Sequence, residues 1–103
     1  MPQKVDVLPA ASLPAGDWKA VRVGQRELAV FNVDGRFYTL NNSCPHVGGP
    51  LAMGRFEGHE VTCPLHAWRF DVRSGRCLNQ PRDAISYPTT VVDGMVQAEL
   101  PDD

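Results

Sequence analysis

The sequence predicts an all-β domain built from antiparallel strands. Three observations carry that prediction. Apolar positions recur at a spacing of two rather than three or four, nine prolines and nine glycines punctuate the chain, and two Asp-Gly dipeptides separate β-rich runs. No segment holds a helical period beyond about ten residues. With 103 residues the chain is expected to form one domain, residues 1–103, with a modest core and no room for a separate substrate-binding unit.

Gln3 to Leu8 alternates polar and apolar residues and reads as a strand. Leu8 to Asp17, with Pro9, Pro14 and Gly16, reads as an irregular connection. Trp18 to Val23 alternates again, and Glu27 to Val33 is a β-rich run that ends at Asp34-Gly35, a two-residue hairpin signal before Arg36 to Leu40. Asn41 to Met53 is loop by composition. Glu57-Gly58-His59 turns into a short strand, Glu60 to Cys63. Arg69 to Val72 and Arg76 to Leu78 suggest a hairpin about Ser74-Gly75, and Asn79 to Asp83 is irregular around Pro81. Ile85 to Val92 and Met95 to Leu100 flank the second Asp-Gly turn, Asp93-Gly94. Many short strands joined by turns imply a sandwich or a small barrel.

The chemistry concentrates between Cys44 and His66. Cys44-Pro45-His46 opens the stretch, Cys63-Pro64-Leu65-His66 closes it, and sixteen residues separate the two motifs. Each motif offers one thiolate and one imidazole, a metal-binding set. Two Cys and two His can hold zinc tetrahedrally. Zinc sites, however, usually group a pair of cysteines and then a pair of histidines, whereas here each motif carries one of each. The mixed order suits a two-iron cluster, with both thiolates on one iron and both imidazoles on the other. Pro45 and Pro64 stiffen the chain beside each thiolate, and Gly48 and Gly49 allow close backbone approach.

These motifs, with Gly48-Gly49-Pro50-Leu51 and Trp68-Arg69-Phe70-Asp71, resemble the paired loops of Rieske [2Fe–2S] proteins. The resemblance implies a Rieske-type antiparallel β-sandwich whose cluster-binding subdomain consists of two loops. It implies one [2Fe–2S] cluster, with Cys44 and Cys63 on one iron and His46 and His66 on the other. The departures from the cytochrome bc branch of the family are informative. That branch has an extra Cys in each loop, where this chain has Gly49 and Leu65, so no bridging disulfide can form here. It also has Ser and Tyr hydroxyls where this chain has Trp68 and Phe70. The chain is therefore similar to the Rieske-type ferredoxins of bacterial ring-hydroxylating oxygenase systems, and to the small subunits of some nitrite reductases.

That resemblance implies a soluble one-electron carrier rather than an enzyme. It would take electrons from a flavin-dependent ferredoxin reductase and pass them to a terminal oxygenase through transient docking at the loop tips, at His46, Val47, Gly48, Leu65, His66 and Pro81. Two imidazoles in place of two thiolates leave the oxidised centre neutral, which raises its potential over four-thiolate clusters. Without hydroxyl donors at Trp68 and Phe70, a potential near the low end of the Rieske range is expected, about −150 mV. The alternatives are a fixed subunit of a nitrite reductase-like complex and a structural zinc module.

Composition bounds the rest. Ten Lys and Arg against twelve Asp and Glu leave no basic block for nucleic acid. No apolar run approaches the roughly 18 residues of a membrane span. The start of the chain carries no export pattern, so a cytoplasmic protein is expected. Three cysteines make a disulfide framework improbable in that compartment. Cys77 reads as a small buried hydrophobe, His59 as a solvated turn residue and Trp68 as a shield for the site. Trp18, Phe31, Phe37, Tyr38, Met53 and Met95 read as packing residues.

Overall fold

In a computed structural model, which describes residues 2–45 and 48–101, the chain folds into three antiparallel sheets. The strands are β1 (Gln3–Pro9), β2 (Trp18–Val23), β3 (Arg26–Val33), β4 (Arg36–Asn41), β5 (Arg55–Glu57), β6 (Glu60–Thr62), β7 (Arg69–Asp71), β8 (Ser86–Tyr87), β9 (Thr89–Val92) and β10 (Met95–Leu100). Among the described residues the only helices are two 3-10 turns, Ala10–Ser12 and Leu51–Met53. No helix there is long and apolar enough to cross a membrane. The sheet orders are β1-β10-β9, β2-β3-β4-β8 and β5-β6-β7.

The four-stranded sheet lies between the other two, and β3 shows why. Residues Leu28 to Asn32 are all buried. Ala29 and Phe31 point into a core shared with Phe56, Val61 and Phe70 of the β5-β6-β7 sheet. Val30 packs with Leu8 and Val96, and Leu28 with Ala98 and Leu100, all from β1 and β10. Successive side chains of a strand face opposite sides, so a strand covered on both faces becomes an unbroken apolar run. β10, covered on one face, keeps the alternation: Val96, Ala98 and Leu100 are buried, with Gln97 and Glu99 between them less so.

The two Asp-Gly hairpins form where expected, with Asp34 and Asp93 at φ of 51° and glycines at φ of 92° and 78°, the left-handed pair that a tight hairpin demands. Four expectations need correction. Ile85 to Val92 is not one strand: Pro88 lacks an N–H and interrupts it, so Ser86–Tyr87 pairs with β4 while Thr89–Val92 pairs with β10. Arg76 to Leu78 forms no strand, only a bridge from Cys77 to Phe70 flanked by backbone hydrogen bonds. β5 was not expected, because three residues with one apolar position, Phe56, carry no readable period. Met53 is no packing residue, being 75% exposed. His59 is half-buried, and its carbonyl accepts the Val72 N–H at 2.9 Å.

Candidate metal centre

Both Cys-containing segments are closed loops mounted on paired backbone. In the first, Ser43 pairs with Pro50, the Cys44 N–H donates to Gly49 O at 2.8 Å, and the Gly48 N–H donates to Cys44 O at 2.8 Å. In the second, β6 and β7 pair through Thr62 and Arg69, and the Cys63 N–H donates to Trp68 O at 2.8 Å. Pro64 to Ala67 therefore form the tip of a short hairpin. His46 and Val47 lie outside the described residues, so their expected roles as ligand and docking residue are not addressed by the geometry.

Cys44 and Cys63 are both free and each is 2% exposed. They belong to the same core as Phe31, Leu40, Leu51 and Phe70, so the central sheet fixes where both sulfurs sit. Burial pushes the Cys63 thiol up, the Leu65 backbone N–H donating to it works against that, and the hydrogen-bonded neighbour Cys44 raises it further. A buried thiol raised in this way resists ionisation unless a cationic centre balances the charge of its thiolate. This donor set fits an iron–sulfur cluster held by two thiolates. Among the described residues no three Cys, His, Asp or Glu side chains come together as a metal site. The cysteine pair thus meets as expected, while its completion by imidazoles rests on a set that includes His46.

His66 is exposed at the hairpin tip, next to the buried cysteine end of its own loop. It and Ala67 both adopt left-handed backbone, with φ of 64° and 58°. That conformation costs a non-glycine residue roughly 1–2 kcal/mol, so two in succession persist only where the surroundings enforce them. The turn carries His66 outward while Cys63 stays in the core.

The loops touch through Gly49 and Leu65. A Cβ built on Gly49 would lie 3.0 Å from Leu65 Cδ1 and 3.2 Å from both Leu65 Cγ and Cys63 Sγ. The two positions that exclude the disulfide are thus packed against each other, and a Cβ at Gly49 fits only if Leu65 or Cys63 gives way. Trp68 is half-buried against the core, consistent with a shielding role, and Cys77 is buried at 7% exposure.

One residue at the site was not anticipated. Asn42, two positions before Cys44, is 3% exposed and every polar group on it is used. Its N–H donates to Glu27 O and its carbonyl accepts the Leu51 N–H. Its Nδ2 donates to Glu27 Oε1 at 2.5 Å, and its Oδ1 accepts the Ala52 N–H at 2.7 Å. It ties the entry and exit of the first loop to β3. Asn41-Asn42 before the motif read only as loop composition; the signal available was a carboxamide beside a segment whose backbone groups needed partners.

A family model described as the Rieske [2Fe–2S] domain matches residues 3–89. The ferredoxin component of the naphthalene 1,2-dioxygenase system of Pseudomonas aeruginosa is 36% identical over 98 residues, 93% of this chain and 94% of that protein. Among solved structures, the Sphingomonas yanoikuyae B1 ferredoxin aligns with a TM-score of 0.88 at 31% identity, covering 96% of this chain and 100% of that one. A chain from the complex of reduced oxygenase and oxidized ferredoxin in carbazole 1,9a-dioxygenase aligns with a TM-score of 0.85 at 28% identity, covering 93% and 92%.

Proposed function

We propose that this chain, which belongs to the Rieske [2Fe–2S] domain family, is the one-electron carrier of a ring-hydroxylating oxygenase system. In this reading residues 1–103 act as a single domain in the cytoplasm, with Cys44, His46, Cys63 and His66 as the ligands. The observation that carries it is the pair of buried thiols, Cys44 and Cys63, held side by side by two closed loops, with His66 leading from one of them to the surface. The cluster would supply a reversible one-electron couple.

The protein's part is placement. The core holds Cys44 and Cys63 away from water, and the Leu65 N–H supports negative charge on the Cys63 sulfur. His66 offers an exposed edge to a partner. Leu65, 44% exposed, and the exposed Gly48 and Pro81 are the other described residues assigned to the docking face. A shuttle must leave as readily as it binds, so a small, transient contact fits the role. Nicotinamide donors give electrons in pairs, so a flavin-dependent reductase is the natural supplier to a one-electron acceptor. The terminal oxygenase is the acceptor, as in the carbazole 1,9a-dioxygenase complex of oxygenase and ferredoxin.

Metal analysis and EPR of the dithionite-reduced protein test this reading. Two irons per chain and a rhombic signal with nitrogen couplings are expected, together with rapid reoxidation when a ring-hydroxylating oxygenase is added. A colourless, zinc-loaded protein refutes it. Tight co-purification with a larger enzyme, without exchange, replaces the mobile carrier by a fixed subunit.

A further inference from the structure

After Leu78 the backbone that borders β7 turns away toward Pro81, and one side chain carries the pairing on. The Leu78 N–H donates to Arg69 O at 2.8 Å and the Asp71 N–H to Arg76 O at 2.9 Å, on either side of the Phe70–Cys77 bridge. Beyond them Asn79 Oδ1 accepts the Arg69 N–H at 3.0 Å, and Asn79 Nδ2 donates to Ala67 O at 3.2 Å. The partners fix the amide orientation, because a backbone N–H needs an acceptor and a carbonyl needs a donor. Cys77 Sγ approaches the same Oδ1 at 3.6 Å.

We propose that Asn79 is a positioning residue for the His66 loop, its carboxamide extending the β7 pairing by two hydrogen bonds to Ala67 and Arg69. The inference rests on the reading of His66 as a ligand. Ala67 is the second of the two left-handed residues, so its carbonyl direction is set by the turn that also aims His66. Cys63 N–H to Trp68 O closes the hairpin from within. Asn79 restrains it from outside, at the residue that follows the histidine. Asn79, Ala67 and Arg69 are all exposed, so water can replace these bonds at little cost to the fold. What water does not supply is a fixed direction. Asn79 therefore acts on the precision of the ligand loop more than on global stability.

The test uses the cluster-loaded protein and two variants, Asn79→Ala and Asn79→Asp. In Asn79→Ala the Arg69-containing peptide should exchange amide hydrogens faster by about tenfold, the equivalent of one net hydrogen bond, while peptides from β3 stay protected. The EPR lines of the reduced protein should broaden, and a chelator should strip iron several-fold faster. Asn79→Asp keeps the acceptor for Arg69 but loses the donor to Ala67, so it should protect Arg69 while still broadening the spectrum. It also decides the matter if Asn79→Ala does not fold. Arg69 exchange within about twofold of the parent protein overturns the proposal. So does faster exchange with unaltered EPR lines and iron release, or loss of protection across β3. Failure of the ligand reading is separately visible: His66→Ala would then retain the nitrogen-coupled spectrum, while the exchange arm still reports on Asn79.

Discussion

Replacing Gly49 by alanine measures how closely the two loops pack against each other. The backbone at Gly49 is not left-handed, so alanine is strained there only by its methyl group. That methyl would sit 3.0 Å from Leu65 Cδ1 and 3.2 Å from Cys63 Sγ, well inside the 3.5–4.0 Å of ordinary carbon contacts. Leu65 is 44% exposed and can swing away, but Cys63, 2% exposed, is held by the core. Overpacking of this kind costs about 1–3 kcal/mol, and the stiffer unfolded chain returns about 0.4–1 kcal/mol. A net loss of about 1.5 kcal/mol corresponds to a Tm lower by roughly 6–12 °C for a domain of this size. Differential scanning calorimetry of the loaded protein at one scan rate measures it, alongside Leu65→Ala and the double variant. Because only the Leu65 share of the clash is relieved, the double variant should be more stable than the sum of the singles by about 0.5–1 kcal/mol. Strict additivity would refute the packing argument. So would a Gly49→Ala protein that melts with the parent.

Further outcomes follow from the same geometry. Gly54→Ala should prevent recovery of folded protein, because its Cβ would lie 1.9 Å from the backbone oxygen of Thr62, which cannot move without dismantling the β5–β6 pairing; soluble expression with native circular dichroism would contradict this. Asn42→Ala should cost about 1–3 kcal/mol in urea unfolding, since it leaves the Ala52 N–H without its partner, while Glu27, exposed and also paired with Arg22, loses little. The Arg73 guanidinium hydrogen-bonded to Asp71 holds that carboxyl below its usual range, while burial works against the shift. A depressed carboxylate stabilises the fold fully above its unfolded value near 3.9 and loses that contribution as pH falls through its folded value. The stability gap between the parent and Asp71→Asn should thus be flat above about pH 5 and close in more acidic solution, as read by urea titrations across pH. Phe70 is fully buried and neither it nor Trp68 carries a hydroxyl, so voltammetry should find a potential near −150 mV, at the low end of the Rieske span.

What could be read in the sequence followed from periodicity and ligand order. The hairpins at Asp34-Gly35 and Asp93-Gly94, and the cysteine pair, needed only local rules, and the structure places them accordingly. Of the third sheet, the strands beginning at Glu60 and Arg69 were legible, but β5 and the pairing of all three into one sheet were not, because each is three residues long with one buried position. Such strands exist by pairing and by packing Phe56, Val61 and Phe70 on the central sheet, not by a pattern of their own. The run from Glu27 to Val33 did hold the clue to a middle layer: its apolar residues barely alternate, as expected of a strand with no solvent face. Asn42 and Asn79 escaped for another reason. A carboxamide's value depends on which distant backbone groups lack partners, and that is settled only when the loops close.

The two ends of the ligand loops answer to different forces, and that should govern how substitutions behave. The thiol ends lie in a core shared with the sheet that also supports β1 and β10, so a change there disturbs cofactor and fold together. His66 stands on a turn of two left-handed residues, restrained by single hydrogen bonds such as those of Asn79, in exposed surroundings. Little burial energy depends on that tip, so exposed residues beside His66, such as Pro64, can vary at small cost to the fold. On the proposed reading, a carrier that meets both a reductase and an oxygenase gains from this division. Its cluster would be held from the buried side, and the surface proposed for docking could change without loosening Cys44 and Cys63.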